Sequence, residues 1–189
     1  IPTTITFLGG TTSGSQHPQV QFDAAGYYIA ELTVTNASGS DTETKTDYIY
    51  VQNPIINLDI TVNLEGPFNG ADMTPNLNSI LPLSQPYNIT PWFYTGIENV
   101  SAIPDANIID WVLVELRNAS DAASAHSGTM MDRQAAFLLN NGKIVGMDGT
   151  STLQFSNSLT QQLYVVIWHR NHLGIMSSNS LSESGGVYS

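Results

Sequence analysis

The sequence lacks cysteine and is poor in positive charge: its 189 residues include two lysines, three arginines and 16 acidic residues, giving a net charge of −11. The missing cysteines exclude disulfide scaffolds and thiolate-ligated zinc or iron–sulfur sites. So few cations cannot neutralise a run of phosphates, so we expect no nucleic-acid partner. No apolar run approaches the roughly 20 residues of a membrane-spanning helix, so we expect no membrane insertion.

The sequence is rich instead in two-residue periodicity. From Tyr28 to Thr35, and again from Ile56 to Leu64, apolar and polar residues alternate as in half-buried strands. The segments 108–116 and 163–168 are apolar on both faces, which is typical of central strands covered on both sides. The segment 131–139 fits either a short helix or a strand, and the Asn140-Asn141-Gly142 turn after it favours the strand. These patterns predict an all-β protein of the sandwich class.

Proline marks the division of the chain. A strand pattern ends at Val51, Pro54 interrupts it because proline cannot donate to a strand ladder, and a new alternation follows. We therefore predict two Ig-like β-sandwich domains in tandem, 1–52 and 55–189. The segment 66–103 carries five prolines and five aromatic residues, and its weak alternation predicts a long loop ordered by its own aromatic side chains.

The first domain resembles the C-terminal part of a PKD (polycystic-kidney-disease) repeat. The resemblance covers about a quarter of the chain and would make this domain a sandwich truncated at its N-terminus. In a complete repeat the opening strands cover one edge and part of the core face, so we expect that edge and face to be exposed here. The matching positions are Gly26, Tyr28, Leu32, Val34, Asn36, Gly39, Tyr48, Ile49 and Val51, with Phe7-Leu8-Gly9-Gly10 similar to a Phe-Pro-Gly-Gly variant of the family.

The second domain resembles a module of secreted Bacteroidetes surface proteins of the type IX secretion type, which has no established activity. The matching segments are 81–87, 110–117, 133–139 and 169–176. The resemblance implies an extracellular or cell-surface location and, as partners, further domains of a longer chain, with filament or homo-oligomer contacts as a second expectation. It implies no particular ligand, and we expect no cofactor.

The sharpest polar cluster is His169-Arg170-Asn171-His172. Two histidines at i and i+3 can ligate a metal if a turn brings them together; the alternative is a tight hairpin whose side chains bind loop carbonyls or carboxylates. Arg117, Arg133 and Arg170 are the only arginines, so we expect each to meet a carboxylate in a structural cluster with His169 and His172.

Three further sets of residues are weaker candidates. Tyr87, Trp92, Phe93 and Tyr94 could stack on a glycan, although consecutive aromatics more often pin a loop to its sheet. Asp41 and Asp47 are candidate calcium ligands without the dense carboxylates of an EF-hand. Asp110, Glu115, Asp132 and Asp148 could serve a glycoside hydrolase, but no spacing selects a pair.

These observations favour a non-catalytic structural or adhesive module of an extracellular or cell-surface bacterial protein, in a filament or surface layer. The alternative is a carbohydrate-binding accessory module of a secreted hydrolase. An enzyme that uses carboxylates is the third hypothesis. Other kinds of catalysis have no support, because the sequence contains no nucleophile elbow, no zinc-protease helix and no phosphate-binding loop.

Overall fold

A computed structural model describes residues 4–189, and their regular secondary structure is almost entirely β-strand, which confirms the predicted all-β fold class. No helix in this range is long and apolar enough to cross a bilayer. The two helical segments are 3-10 turns at Asn78–Ile80 and Ser127–Thr129. The strands are β1 (Ile5–Leu8), β2 (Gln19–Phe22), β3 (Gly26–Asn36), β4 (Gly39–Val51), β5 (Ile55–Leu58), β6 (Ile108–Ala119), β7 (Met130–Leu139), β8 (Ile144–Val145), β9 (Leu153–Ser156), β10 (Gln162–His169), β11 (His172–Met176), β12 (Glu183–Ser184) and β13 (Val187–Tyr188).

The chain divides between Pro54 and Ile55 into two units. Unit 1 contains two antiparallel pairs, β1–β2 and β3–β4. Along β3 and β4 almost every residue is exposed, and Tyr28 is the buried exception. Leu32 is 65% and Val34 59% exposed, so the alternation predicts the strand correctly while the apolar face meets water, as expected for an uncovered sheet.

Unit 2 is built on a five-stranded sheet in the order β11-β10-β6-β7-β8, with antiparallel pairing throughout. The two strands predicted to be central, β6 and β10, are inner neighbours in this sheet. The segment 131–139 forms strand β7, which confirms the strand interpretation over the helix. It reaches β8 through the Asn141-Gly142 turn, where Gly142 has a φ of 85° that glycine adopts without strain.

One face of this sheet packs against a second sheet in the order β12-β13-β5-β9. Ile56 and Leu58 of β5 lie buried between the two layers, together with Val112 and Val165 of the larger sheet. The alternation from Ile56 predicts a strand that reaches Leu64, yet β5 ends at Leu58. Val62 and Leu64 remain buried in the same core without continuous strand pairing.

The opposite face is covered, in place of a sheet, by the long segment 66–103 through its residues from Leu81 onward, whereas Met73 of the same segment is buried in the first core. Trp111, Tyr87 and Phe137 form the centre of this second core, and none of the three is exposed. The loop is attached to the sheet by polar contacts too: the Trp111 indole donates to the carbonyl of Pro82 at 2.7 Å, and the Tyr87 hydroxyl donates to the carbonyl of Trp111 at 2.7 Å. The inner strands β6 and β10 are therefore covered on both sides, which explains their two apolar faces.

Candidate functional site

A buried carboxylate, Asp110, organises the strongest polar site of the described residues. Asp110 lies near the start of β6, where the pairing with β7 shifts register between Ile108 and Asp110, and the residue is only 4% exposed. Arg170 donates to both of its oxygens, through Nε to Oδ2 at 3.0 Å and through Nη2 at 3.0 and 2.9 Å. The Trp111 backbone N–H donates to Oδ1 at 2.8 Å, and His169 Nε2 lies 3.1 Å from Oδ2.

These partners keep Asp110 ionised. Burial by itself would raise the pKa of the carboxyl, because the charged form loses its water. The hydrogen bond from His169, the charge of Arg170 and the Trp111 N–H together outweigh that cost and hold the pKa of Asp110 below its usual value. Asp110 is thus an acceptor only, and every group within hydrogen-bonding distance of it must be a donor.

His169 and His172 are brought together by the tight turn that joins β10 to β11, with Arg170 and Asn171 at its tip. Their ring centroids are 4.8 Å apart, and the two Nδ1 atoms are separated by 2.8 Å. His169 is buried, whereas His172 is exposed. The turn needed to bring the two histidines together is therefore present, and the side chains of His169 and His172 belong to one site.

The hydrogen-bond partners assign a tautomer to each ring. His169 Nε2 donates to ionised Asp110, and the Asn171 backbone N–H donates to His169 Nδ1 at 3.2 Å, so His169 is neutral with its lone pair on Nδ1. His172 must then supply the proton of the short Nδ1–Nδ1 contact. In its neutral form His172 then carries its lone pair on Nε2, at the end of an Asp110–His169–His172 chain.

A second buried carboxylate, Glu115, lies further along β6 on the face covered by the loop. Arg117, two residues on and hence on the same face, contacts Glu115 Oε1 through Nε at 2.8 Å and Nη2 at 2.7 Å. The Trp168 indole donates to Oε2 at 3.2 Å. Both oxygens of Glu115 are thereby bound by protein donors.

Arg133 departs from the expected pairing with a carboxylate. Its Nη1 donates to the carbonyl of Trp92 at 2.9 Å, and its guanidinium lies over the Tyr94 ring, 5.6 Å from the centroid. The Tyr94 hydroxyl donates to Glu98, which also accepts the Ala135 N–H at 3.2 Å. The three arginines thus lie in three separate groups of contacting residues. His169 and His172 belong to the group that contains Arg170.

The four aromatic residues proposed as a glycan platform do not form one. Tyr87 is completely buried and is unavailable for stacking, because its ring packs under the loop against Trp92 with centroids 5.1 Å apart. Trp92 and Tyr94 are half-buried in the same core. Phe93 is 65% exposed, with a φ of 45° that is unusual for a bulky residue. Phe93 alone of the four is mostly exposed. The other three side chains hold the loop to the sheet, as the alternative interpretation predicts.

The candidate metal ligands are not assembled into a site. Within residues 4–189, no group of three or more histidine, aspartate or glutamate side chains is placed to hold an ion. Asp41 and Asp47 are exposed on β4, where Asp41 pairs with Val34 and Asp47 lies in a bulge with a φ of 52°. His169 directs one nitrogen to Asp110 and the other to His172, which leaves His172 Nε2 as the free nitrogen.

The role of Asp110 is not evident from the sequence pattern, which does not distinguish it from Glu115, Asp132 and Asp148. Asp132 instead accepts a hydrogen bond from Asn157 at 2.6 Å, and Asp148 caps the turn to Ser151. The signal available was the position of Asp110 at the start of a strand apolar on both faces, where a charge requires a partner. Its partner lies 60 residues away, so only the register of β6 and β10 identifies Arg170.

Comparisons of the chain with protein-family models, with curated proteins and with solved structures give no match.

Proposed function

We propose that the chain is a non-catalytic structural or adhesive module of an extracellular or cell-surface bacterial protein. The observation that supports this function is the full engagement of the two buried carboxylates. Asp110 and Glu115 each bind an arginine through more than one contact and a further ring N–H donor. Carboxylates neutralised in this way fix strand positions and are poor proton donors or acceptors for a substrate.

The packing of unit 2 supports the same proposal. A hydrolase places its reactive groups at the edge of a sheet or in a loop-lined cleft, whereas the part of the long loop from Leu81 to Ile103 is packed against the sheet around Tyr87 and Trp111. The resemblance to a secreted surface module supports the extracellular location and the expectation of further domains in one longer chain.

Substitution of the two carboxylates tests the structural role against the catalytic one. Glu115→Gln and Asp110→Asn should lower the free energy of unfolding, while the wild-type chain turns over none of a panel of chromogenic glycosides and fluorogenic peptides. The matched control is Asp59→Asn, which removes an exposed carboxylate beside Lys143. Turnover by the wild-type chain that either variant abolishes without loss of stability would overturn the proposal.

The location is tested separately with antibodies raised against the purified chain. They should label intact cells of the producing bacterium, and mild protease treatment of those cells should remove the label. Labelling that requires permeabilised cells would contradict the proposed surface location while leaving the non-catalytic role intact.

The carbohydrate-binding alternative through the aromatic loop now rests on Phe93. If it holds, binding on a glycan array should be lost in Phe93→Ala and retained in Phe68→Ala, which removes another exposed phenylalanine of unit 2. Binding by Phe93→Ala that equals binding by the wild type excludes Phe93 as the glycan contact.

A further inference from the structure

A cavity of about 330 Å³ lies beside the Asp110–His169–His172 chain. Its walls combine apolar side chains, among them Leu64, Leu77 and Ile109, with the carboxamides of Asn76 and Asn171. A second cavity of about 450 Å³ shares Leu64, His169, Asn171 and His172 with the first. His172 therefore stands at the boundary of two cavities. Pockets that hold small molecules begin at about this size and show this mixture of apolar walls and few polar groups.

The free nitrogen of His172 gives this cavity a fixed acceptor. Its Nδ1 is held by His169, and no protein group in the described part of the chain hydrogen-bonds to its Nε2. A Cβ placed on Gly66 would lie 3.9 Å from Nε2, so glycine at this position leaves open space next to the nitrogen. Because His169 and ionised Asp110 orient the ring, the lone pair is positioned before any ligand arrives.

The charges around the first cavity favour a neutral ligand. Arg170, the cation next to His169 in the turn, is bound to Asp110 through three hydrogen bonds, so it does not offer an unpaired positive charge to an anion. Asp110 is likewise neutralised and offers no free charge to a cation. What remains is the lone pair of His172, amide donors and acceptors, and apolar walls, which suit a molecule with several hydroxyl groups and an apolar ring face.

We propose that this cavity binds a neutral polyhydroxylated ligand of monosaccharide size, with a ligand hydroxyl donating to His172 Nε2. The inference goes beyond the proposed structural role and does not depend on it, since a structural module with or without a sugar site has the same buried carboxylates. It also differs from stacking on the aromatic loop, because none of Trp92, Phe93 and Tyr94 lines the cavity.

The tautomer is tested first, by long-range proton–nitrogen correlation spectra of the ¹⁵N-labelled chain, whose four histidines can be assigned by substitution. The expected result is His172 protonated on Nδ1 with a bare Nε2, and His169 protonated on Nε2. A proton found on His172 Nε2 in the neutral ring would overturn the proposal, because the acceptor would then be absent.

Binding is tested by adding methyl β-glucopyranoside, methyl β-galactopyranoside or methyl α-mannopyranoside to the same sample, into the millimolar range. At least one of these probes should shift the His172 Nε2 resonance in a saturable way and leave His17 unchanged. The proposal would be overturned if none of the three probes gave a saturable shift. It would also be overturned if zinc chloride gave a saturable shift and the sugars did not.

Two variants and a control locate the contact. His172→Phe keeps a ring and removes the acceptor, and it should weaken binding by about tenfold or more. Gly66→Val fills the space beside Nε2 without altering the histidine chain, so it should abolish binding while the His172 tautomer is unchanged. His17→Phe, in unit 1, should bind as the wild type does. Unchanged affinity in both His172→Phe and Gly66→Val would place any sugar elsewhere and contradict the proposal.

Discussion

Strands β3 in unit 1 and β6 in unit 2 are similar in length, but β3 alternates apolar and polar residues whereas β6 is apolar on both faces. Their surroundings are opposite as well. In β3, Leu32 and Val34 are more than half exposed, and only Tyr28 is buried. In β6, nine consecutive residues from Ile108 to Leu116 are buried, including two carboxylates. The difference shows that an apolar face on a strand is not buried unless another layer covers it. Strand β6 has a layer on each side, and the apolar face of β3 has none that buries Leu32 and Val34.

The largest expected effect comes from placing the same charge in each unit. Val165→Lys puts an ammonium into the core between the two sheets of unit 2, where Val165 is 4% exposed, and should cost about 4 kcal/mol or more. Val34→Lys faces water and lies opposite Asp41, so its cost should stay within about 0.5 kcal/mol. Differential scanning calorimetry measures both variants. Similar melting of the two would show that unit 1 is covered in solution.

The second effect separates buried from exposed carboxylates within unit 2. Asp110→Asn leaves Arg170 and His169 without their shared acceptor charge and should lower the free energy of unfolding by about 3 kcal/mol. Asp59→Asn breaks an exposed pair with Lys143 and should cost less than about 1 kcal/mol. Urea titration followed by tryptophan fluorescence is suitable, because all three tryptophans lie in unit 2. An equal loss in the two variants would mean that Asp110 is not structurally important.

A smaller effect tests how the loop is attached to the sheet. Burial, with a further contribution from the charge of Asp110, raises the pKa of Tyr87, so its hydroxyl stays protonated and donates to the carbonyls of Trp111 and Trp168 at 2.7 and 3.3 Å. Tyr87→Phe should cost about 1–2 kcal/mol in the same urea titration. Tyr48→Phe, at a side chain 63% exposed in unit 1, should change stability by less than about 0.5 kcal/mol. A Tyr87→Phe variant as stable as wild type would place the loop's attachment elsewhere.

The smallest effect is the pH dependence of the Asp110 contribution. Its pKa is lowered on folding, so its stabilisation is fully present above the pKa of the unfolded state, near pH 4, and is lost as the pH falls from there through the folded-state value. The stability difference between wild type and Asp110→Asn should therefore be constant from pH 7 to about pH 5 and shrink at lower pH. A difference that grows on acidification would contradict the assigned ionised state.

The sequence was sufficient to predict the elements of this fold and much less of its site. The apolar faces of β6 and β10 predict that both strands are central, since residues such as Val112 and Trp168 alternate on two buried sides. It did not indicate that the segment 66–103 covers one of those sides, because Tyr87 and Trp92 are equally compatible with an exposed platform. Asp110 and Arg170 are neighbours only through strand register, which local pattern does not encode.

The histidine pair shows the same limit at shorter range. The spacing of His169 and His172 allowed two outcomes, a metal site or a hairpin bound to neighbouring groups. Which of the two forms depends on Asp110, and the periodicity of the sequence does not indicate that Asp110 lies at the register shift near the start of β6. Tautomers follow from partners, so they could be assigned only after the register was known.

Residue-resolved hydrogen exchange of the native chain tests the central contrast most directly. The account predicts that amides of β6 and β10 exchange only through global unfolding of unit 2, and that amides from Ala30 to Asn36 of β3 exchange about a hundredfold faster or more through local opening. Equal protection of β3 and β6 would contradict the account, because it would require that the exposed face of unit 1 is covered as thoroughly as the core that contains Asp110.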